Sequence, residues 1–188
     1  MATNRVLYIN ATVSENSRTN ALAKALLSRL NGKVIERKLS EIGIKSLDSA
    51  MISKRNADIS RGEYQDYPLA KEFAEADQIV IAAPHYDLSF PSLLKVYIEN
   101  IYVMGLVTSF DEMGRPKGLC HAKKLYYVAT SGGPLETRFG YEYIKALCLD
   151  YFGIPECELI AVENLDIVGV DAEQALQKAI EEVLSRDI

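Results

Sequence analysis

A doubly wound α/β fold, with five parallel strands in one sheet and helices on both faces, follows from the hydrophobic pattern of this chain. Apolar periodicity switches repeatedly between the two-residue repeat of a strand and the 3.6-residue repeat of a helix. One run, Ile79–Ala83, is apolar without interruption, as in a parallel strand covered on both sides. It stops at Pro84, which fixes φ and has no N–H to extend a ladder. The 188 residues, 48% hydrophobic, suffice for one domain with a full core, expected to span 1–188.

Arg5–Asn10 reads as the first strand. Ser17–Leu30 reads as a helix with Ala21, Leu22, Ala25, Leu26 and Leu30 on one face and Gly32 placed to end it. Lys33–Leu39, apolar at Val34, Ile35 and Leu39, is the second strand. Residues 40–66 lose the period and are expected to form a long excursion with one short helix. Pro68–Ala76 is a helix with proline in its first turn, and Gln78–Ala83 is the third strand. Pro91–Tyr102 is helical again, and Asp111–Gly118 has the composition of a turn or hairpin. Leu125–Ala129 is the fourth strand, Tyr141–Phe152 a helix, Glu158–Glu163 the fifth strand and Ala172–Arg186 the closing helix. Alternation alone leaves the strand order open.

The helix after the third strand is apolar almost all round. Val96, Tyr97, Ile98, Ile101, Tyr102, Val103, Met104, Leu106 and Val107 are relieved only by Lys95, Glu99 and Asn100. A helix apolar on every side is buried on every side. A second subunit in a two-fold dimer is the expected cover, with burial by the 40–66 excursion as the alternative.

With 26 acidic against 21 basic residues the net charge is −5, which argues against a nucleic-acid partner. The opening Met-Ala-Thr-Asn-Arg leads into the first strand with no room for a signal h-region. No stretch suggests a membrane span; the longest, around Ile101–Val107, is broken by Gly105. Cys120, Cys148 and Cys157 form no C-x-x-C and cannot all pair, so reduced thiols in a cytoplasmic protein are expected.

Three loops at strand carboxyl ends carry the candidate chemistry, because ligands of open α/β sheets bind there. The first, Asn10–Asn20, has neither a G-x-G-x-x-G nor a Walker sequence, so neither a dinucleotide fingerprint nor an NTPase site follows. It does place Thr12, Ser14, Ser17, Arg18 and Thr19 ahead of a helix, whose free N–H groups suit a phosphate. The alternative is that Asn16 or Ser17 merely caps that helix. The second loop, His85–Leu88, is sharply directed by Pro84 and Pro91. His85 either shapes it through its backbone or touches a ligand with its ring, and Asp87 either pairs with a ligand or caps the following helix. The third, Thr130-Ser-Gly-Gly133, offers hydroxyls and a backbone that a flat ligand can approach, or else an ordinary tight turn. Convergence of all three at the reversal of strand order would make a mononucleotide site. No His/Cys cluster suggests a metal, no G-x-S-x-G a hydrolase, and strand one lacks the paired aspartates of a phospho-acceptor.

These residues resemble the FMN-dependent NADH-azoreductases and related NAD(P)H:quinone oxidoreductases, which have a flavodoxin-like fold. Ala83-Pro-His-Tyr-Asp-Leu-Ser89 is similar to that family's A-P-M-Y-N-F-x loop. Asn100–Lys124, with Gly105-Leu-Val-Thr and Pro116-Lys-Gly-Leu119, resembles its passage through a hairpin into strand four. Thr130-Ser-Gly-Gly-Pro resembles its second flavin loop, Leu149–Ile154 its helix-to-strand junction, and Ser17-Arg-Thr sits where the family has S-x-S.

The resemblance implies non-covalent FMN, with NADH or NADPH as electron donor. Ser17, Arg18 and Thr19 would hold the phosphate, with Asn10 also among the cofactor-binding residues. Pro84, His85, Tyr86, Asp87 and Leu88 would lie along the ring, and Thr130, Ser131, Gly132 and Gly133 on its pyrimidine side. It implies a homodimer with the flavin at the interface. Hydride would pass to flavin N5 and then to a quinone, azo or nitroaromatic acceptor by a ping-pong route, with no protein group as catalyst. Backbone N–H groups of His85–Leu88 would support negative charge on the ring. His85, Tyr86 and, from the other subunit, Phe110 would touch substrate. A flavin-binding electron carrier or sensor without turnover is the alternative, as is a module that has lost flavin. The chain departs from the family at His85 for methionine, Asp87 for asparagine, Leu88 for phenylalanine and Thr108 for an aromatic. Asp87 places a charge that disfavours an anionic ring, and Thr108 would open the substrate side.

Overall fold

The computed structural model describes residues 4–187; Met1–Thr3 of the opening segment lie outside the described residues. Five strands, β1 (Arg5–Asn10), β2 (Lys33–Lys38), β3 (Gln78–Ala82), β6 (Lys124–Thr130) and β7 (Glu156–Val162), pair in parallel in the order β2-β1-β3-β6-β7. Two short strands, β4 (Thr108–Phe110) and β5 (Pro116–Gly118), form the hairpin expected from Asp111–Gly118.

Alternation along each strand sends side chains to two cores. Val6, Tyr8, Val80, Ala82, Tyr126 and Val128 meet α1 (Arg18–Leu27) and α6 (Ala172–Leu184). Leu7, Ile9, Ile79, Ile81, Leu125 and Tyr127 meet α3 (Pro68–Glu75), α4 (Ser92–Ile101) and α5 (Tyr141–Ala146) on the other face. Each buried aliphatic or aromatic side chain contributes about 1.5–3 kcal/mol, and both faces are filled, so the sheet is doubly wound. The chain leaves β1 towards β2 on one side and returns to β3 on the other. Strand order therefore reverses between β1 and β3, which opens a crevice at their carboxyl ends.

Several boundaries differ from the sequence pattern. Ser17 is the N-cap of α1, and the helix ends at Leu27, well before Gly32; Ser28 closes it by donating Oγ to Ala25 O. Ala21 faces solvent and Ala23 takes the core position, because Thr19, Leu22, Ala23 and Leu26 form the buried stripe. The excursion holds α2 (Ser49–Arg61), 13 residues long rather than short, capped by Asp48 at one end and left-handed Gly62 at the other. Past Ala146 the helix that begins at Tyr141 widens into a π-helical stretch, Leu147–Phe152. β7 begins two residues early.

The apolar stretch at α4 is not one helix buried all round. The helix stops at Ile101, and Val103 and Val107 are buried in the non-helical passage to the hairpin. Part of the outer side of α4 is covered by the same chain: Arg55 Nη1 donates to Glu99 O at 2.8 Å and Asn100 Nδ2 to Lys45 O at 2.9 Å. The 40–66 excursion thus supplies burial there. No described helix is long and apolar enough to cross a membrane.

Within this core Tyr97 is fully buried, and its hydroxyl has no hydrogen-bond partner among the described residues. Burial pushes the phenol far above its ordinary pKa, with the nearby Glu72 carboxylate adding to it. A buried hydroxyl without a partner costs about 1–3 kcal/mol of desolvation. Tyr97→Phe is therefore expected to leave stability unchanged or raise it by about 1 kcal/mol in urea unfolding. A clear loss would mean that the hydroxyl is satisfied after all.

Candidate functional site

β1 ends at buried Asn10, whose side chain shapes the first loop. Its Oδ1 accepts from the Thr12 N–H at 3.0 Å and the Thr12 hydroxyl at 2.7 Å, while Nδ2 donates to Glu36 at 2.8 Å. The Tyr8 hydroxyl donates to Asn20 Oδ1 at 2.7 Å. Burial, with Glu36 behind it, pushes that phenol well above its ordinary range, so it stays a donor. Ser17 caps α1, its Oγ accepting from the Asn20 N–H at 3.2 Å. Capping leaves the N–H groups of Arg18 and Thr19 without a protein acceptor among the described residues. The capping and anion readings of this loop are thus compatible. Thr19 is buried, and its Oγ1 lies 2.6 Å from Thr130 Oγ1.

In the second loop the His85 N–H donates to Thr130 O at 3.0 Å. Tyr86 and Ser89 exchange both backbone bonds, at 2.9 and 2.8 Å, and close a two-residue turn. Its members Asp87 and Leu88 have φ of 49° and 69°, the signature of a primed hairpin turn. A leucine in this left-handed region costs about 1–2 kcal/mol, and strain of this kind gathers at functional sites. Asp87 does not cap α4, whose N-cap Pro91 has no side-chain bond. Tyr86, Asp87 and Leu88 are exposed. Because the His85 and Tyr86 N–H groups are consumed, those of Asp87 and Leu88 remain as donors among the described residues, a smaller set than the whole loop.

The third loop follows β6. Ser131 N–H donates to Val162 O, while the carbonyls of Ser131, Gly132 and Gly133 accept from Leu165, Asp166 and Asn164. The segment after β7 is therefore stitched along this loop and uses up its acceptors. Gly132 and Gly133 keep free N–H groups among the described residues. A Cβ on Gly132 would collide with the Asp166 carboxylate, whereas at Gly133 it would meet open space. Further along, Ser89 Oγ donates to Phe139 O at 2.6 Å, tying the second and third loops together again. The Arg138 guanidinium lies 5.2 Å from the Phe139 ring centroid. Its hydrogen bonds hold the Glu136 carboxyl down at about 2, with His85 a smaller influence.

Thr19, His85 and Thr130 thus meet directly, and Ser17, Arg18, Pro84, Tyr86, Asp87, Leu88, Ser131, Gly132 and Gly133 are their chain neighbours at one rim. Asn10 serves the rim by shaping its loop. Phe110 is not brought there by its own chain. It sits on the hairpin, whose exit is anchored at the amino ends of the strands by His121 N–H to Ala74 O and Lys123 N–H to Asp77 O. Thr108 is buried in the base of that hairpin and lines no opening of this rim. The cysteines are free and lie elsewhere; burial pushes the Cys120 thiol up to about 12. Among the described residues no cluster of three His, Cys, Asp or Glu could hold a metal.

Sequence reasoning missed Asp166, Glu136, Arg138 and Phe139. Asp166 follows a strand carboxyl end, the same signal that located the other loops. The remaining three lie in a loop without periodicity.

The rim is the one a flavodoxin-like fold presents at its strand reversal, and the family of that description matches residues 4–186. The chain belongs to this family. A relative in Clostridium acetobutylicum, an FMN-dependent NADH:quinone oxidoreductase, is 34% identical over 193 residues, 94% of each chain. Another of that description, in Clostridium perfringens, is 38% identical over 119 residues, a match spanning 62% of this chain and only 59% of that protein. Among solved structures, an FMN-dependent NADH-azoreductase from Bacillus anthracis in complex with FMN is similar in fold. Its TM-score is 0.80 at 22% identity, covering 96% of both chains.

The strained turn yields a stability test. Leu88 is exposed and buries little, so Leu88→Gly loses few contacts and relieves the left-handed conformation. Set against the backbone entropy of glycine, the expected net gain is about 0.5–1 kcal/mol in chemical denaturation. A loss of stability would show that the turn is not strained in solution.

Proposed function

We propose that this chain binds FMN non-covalently at the rim and works as an NADH-dependent oxidoreductase for quinone or azo acceptors, with nitroaromatics in the same class. The observation that carries the reading is the joining of three carboxyl-end loops at Thr130. Together they present three pairs of backbone N–H groups without a protein acceptor among the described residues, at Arg18–Thr19, Asp87–Leu88 and Gly132–Gly133. The names of the relatives support the choice of cofactor and donor.

The donor set fits the cofactor. The Arg18 and Thr19 N–H groups open α1, where the helix dipole favours a phosphate, and the Arg18 guanidinium is next to them. Gly132 and Gly133 offer donors without competing carbonyls, which suits a ring edge that carries oxygens and gathers negative charge. Open space at Gly133 allows the ring to approach the backbone. FMN, when bound, supplies the redox chemistry, taking a hydride equivalent from the nicotinamide and delivering two electrons to the acceptor. Residues of this chain would orient it: the Asp87 and Leu88 N–H groups offer donors from the second loop, exposed Tyr86 offers a planar ring, and the Asp87 carboxylate adds a negative charge on the same turn. One ring face serving donor and acceptor in turn implies ping-pong kinetics.

Tyr86 and Leu88 expose apolar surface in the second loop, and Phe139, tied to it through Ser89, adds to it. A second copy covering this surface would exclude water and could bring its Phe110 over the site. On this reading the working unit is a homodimer, and a reducing cytoplasm suits its free cysteines.

The purified protein, supplied with FMN, should show a flavin spectrum that bleaches with NADH under anaerobic conditions and should oxidise NADH steadily with menadione. Flavin binding with no turnover would favour an electron carrier. Absence of any flavin uptake would overturn the proposal.

A further inference from the structure

On the FMN reading above, Arg18 is the one guanidinium placed to meet the phosphate. In the structure it is already engaged. Its Nη1 donates to Asp166 Oδ1 at 2.9 Å and to Leu165 O at 3.4 Å. Asp166 is held in place by its own N–H to Gly132 O at 2.8 Å, between Leu165 N–H to Ser131 O and Asn164 N–H to Gly133 O. Its second oxygen lies over Gly132, where any side chain would collide with it. A carboxylate thus reaches across from the β7 loop, over the third loop, to the guanidinium of the first.

We propose that Asp166 is an intramolecular competitor for the phosphate of the cofactor. It occupies Arg18 when no phosphate is present and sets how tightly the mononucleotide is held. Three observations support this beyond the ion pair itself. The partner is a carboxylate, the side-chain group closest to a phosphate in charge and in its fit to guanidinium. Asp166 is largely exposed and Arg18 partly so, so the pair is weak and opens readily. The backbone of the β7 loop, not the ion pair, fixes Asp166 beside the third loop, so the carboxylate stays near after Arg18 turns away. Its negative charge then continues to oppose a dianion at the α1 terminus.

Asp166 therefore selects against the phosphorylated ligand, and a ligand without phosphate should not sense it. Fluorescence titrations with FMN and with riboflavin separate the two. Asp166→Asn is expected to tighten FMN roughly three- to ten-fold at low salt, with the gain shrinking as salt rises. Riboflavin affinity should not move. Arg18→Ala should weaken FMN binding and remove part of the benefit of Asp166→Asn in the double variant, leaving the share that comes from direct repulsion. Unchanged or weaker FMN binding by Asp166→Asn would overturn the competitor role. So would equal tightening of riboflavin, or full benefit without Arg18. Wild-type protein that binds FMN while Asp166→Asn shows no gain would leave the cofactor reading standing and remove only the competitor. Failure of both proteins to bind FMN would remove both.

Discussion

Thr130 is the joint on which the site depends. It ends β6 opposite Val162 of β7, nearly buried, with its hydroxyl against Thr19 and its carbonyl accepting from His85. One residue of β6 therefore joins the first helix, the second loop and the edge strand β7. The contact requires β1, β3 and β6 to be neighbours and to end at a common level, which the order β2-β1-β3-β6-β7 and its parallel register provide. A different strand order would send the same loops to different edges.

The character of the rim comes from what the backbone has already used. The second loop spends two of its N–H groups on its own turn and on Thr130, and the third gives its three carbonyls to the β7 loop. In the third loop donors are left over and carbonyls are not, among the described residues. An electron-rich ring and a phosphate are the ligands such a surface favours, and the free ends of α1 extend the same preference. Against it stand two carboxylates, Asp87 at the tip of the second loop and Asp166 beside Arg18.

The sheet was legible because the inner strands, Val6–Ile9, Ile79–Ala83 and Leu125–Ala129, are apolar on both faces, as covered parallel strands are, while the edge strands β2 and β7 mix charged and apolar residues. The three loops were legible because Pro84, Gly132-Gly133 and the hydroxyls before α1 interrupt that pattern at strand ends. Ala21 and the end of α1 were misjudged because alanine is indifferent to burial and Gly32 is needed for the next turn instead. The length of α2 was hidden because most of its residues are exposed and its limits depend on Asp48 and Gly62 alone. The positive φ of Asp87 and Leu88 left no sequence signal, since neither is glycine. Asp166 and its ion pair are tertiary, joining residues 148 positions apart in the chain.

Amide hydrogen exchange with and without FMN tests the joint most directly. The account predicts that added FMN slows exchange together at Arg18, Thr19, Asp87, Leu88, Gly132 and Gly133, three segments far apart in sequence. Protection confined to one of these loops, or appearing on another face of the sheet, would contradict it.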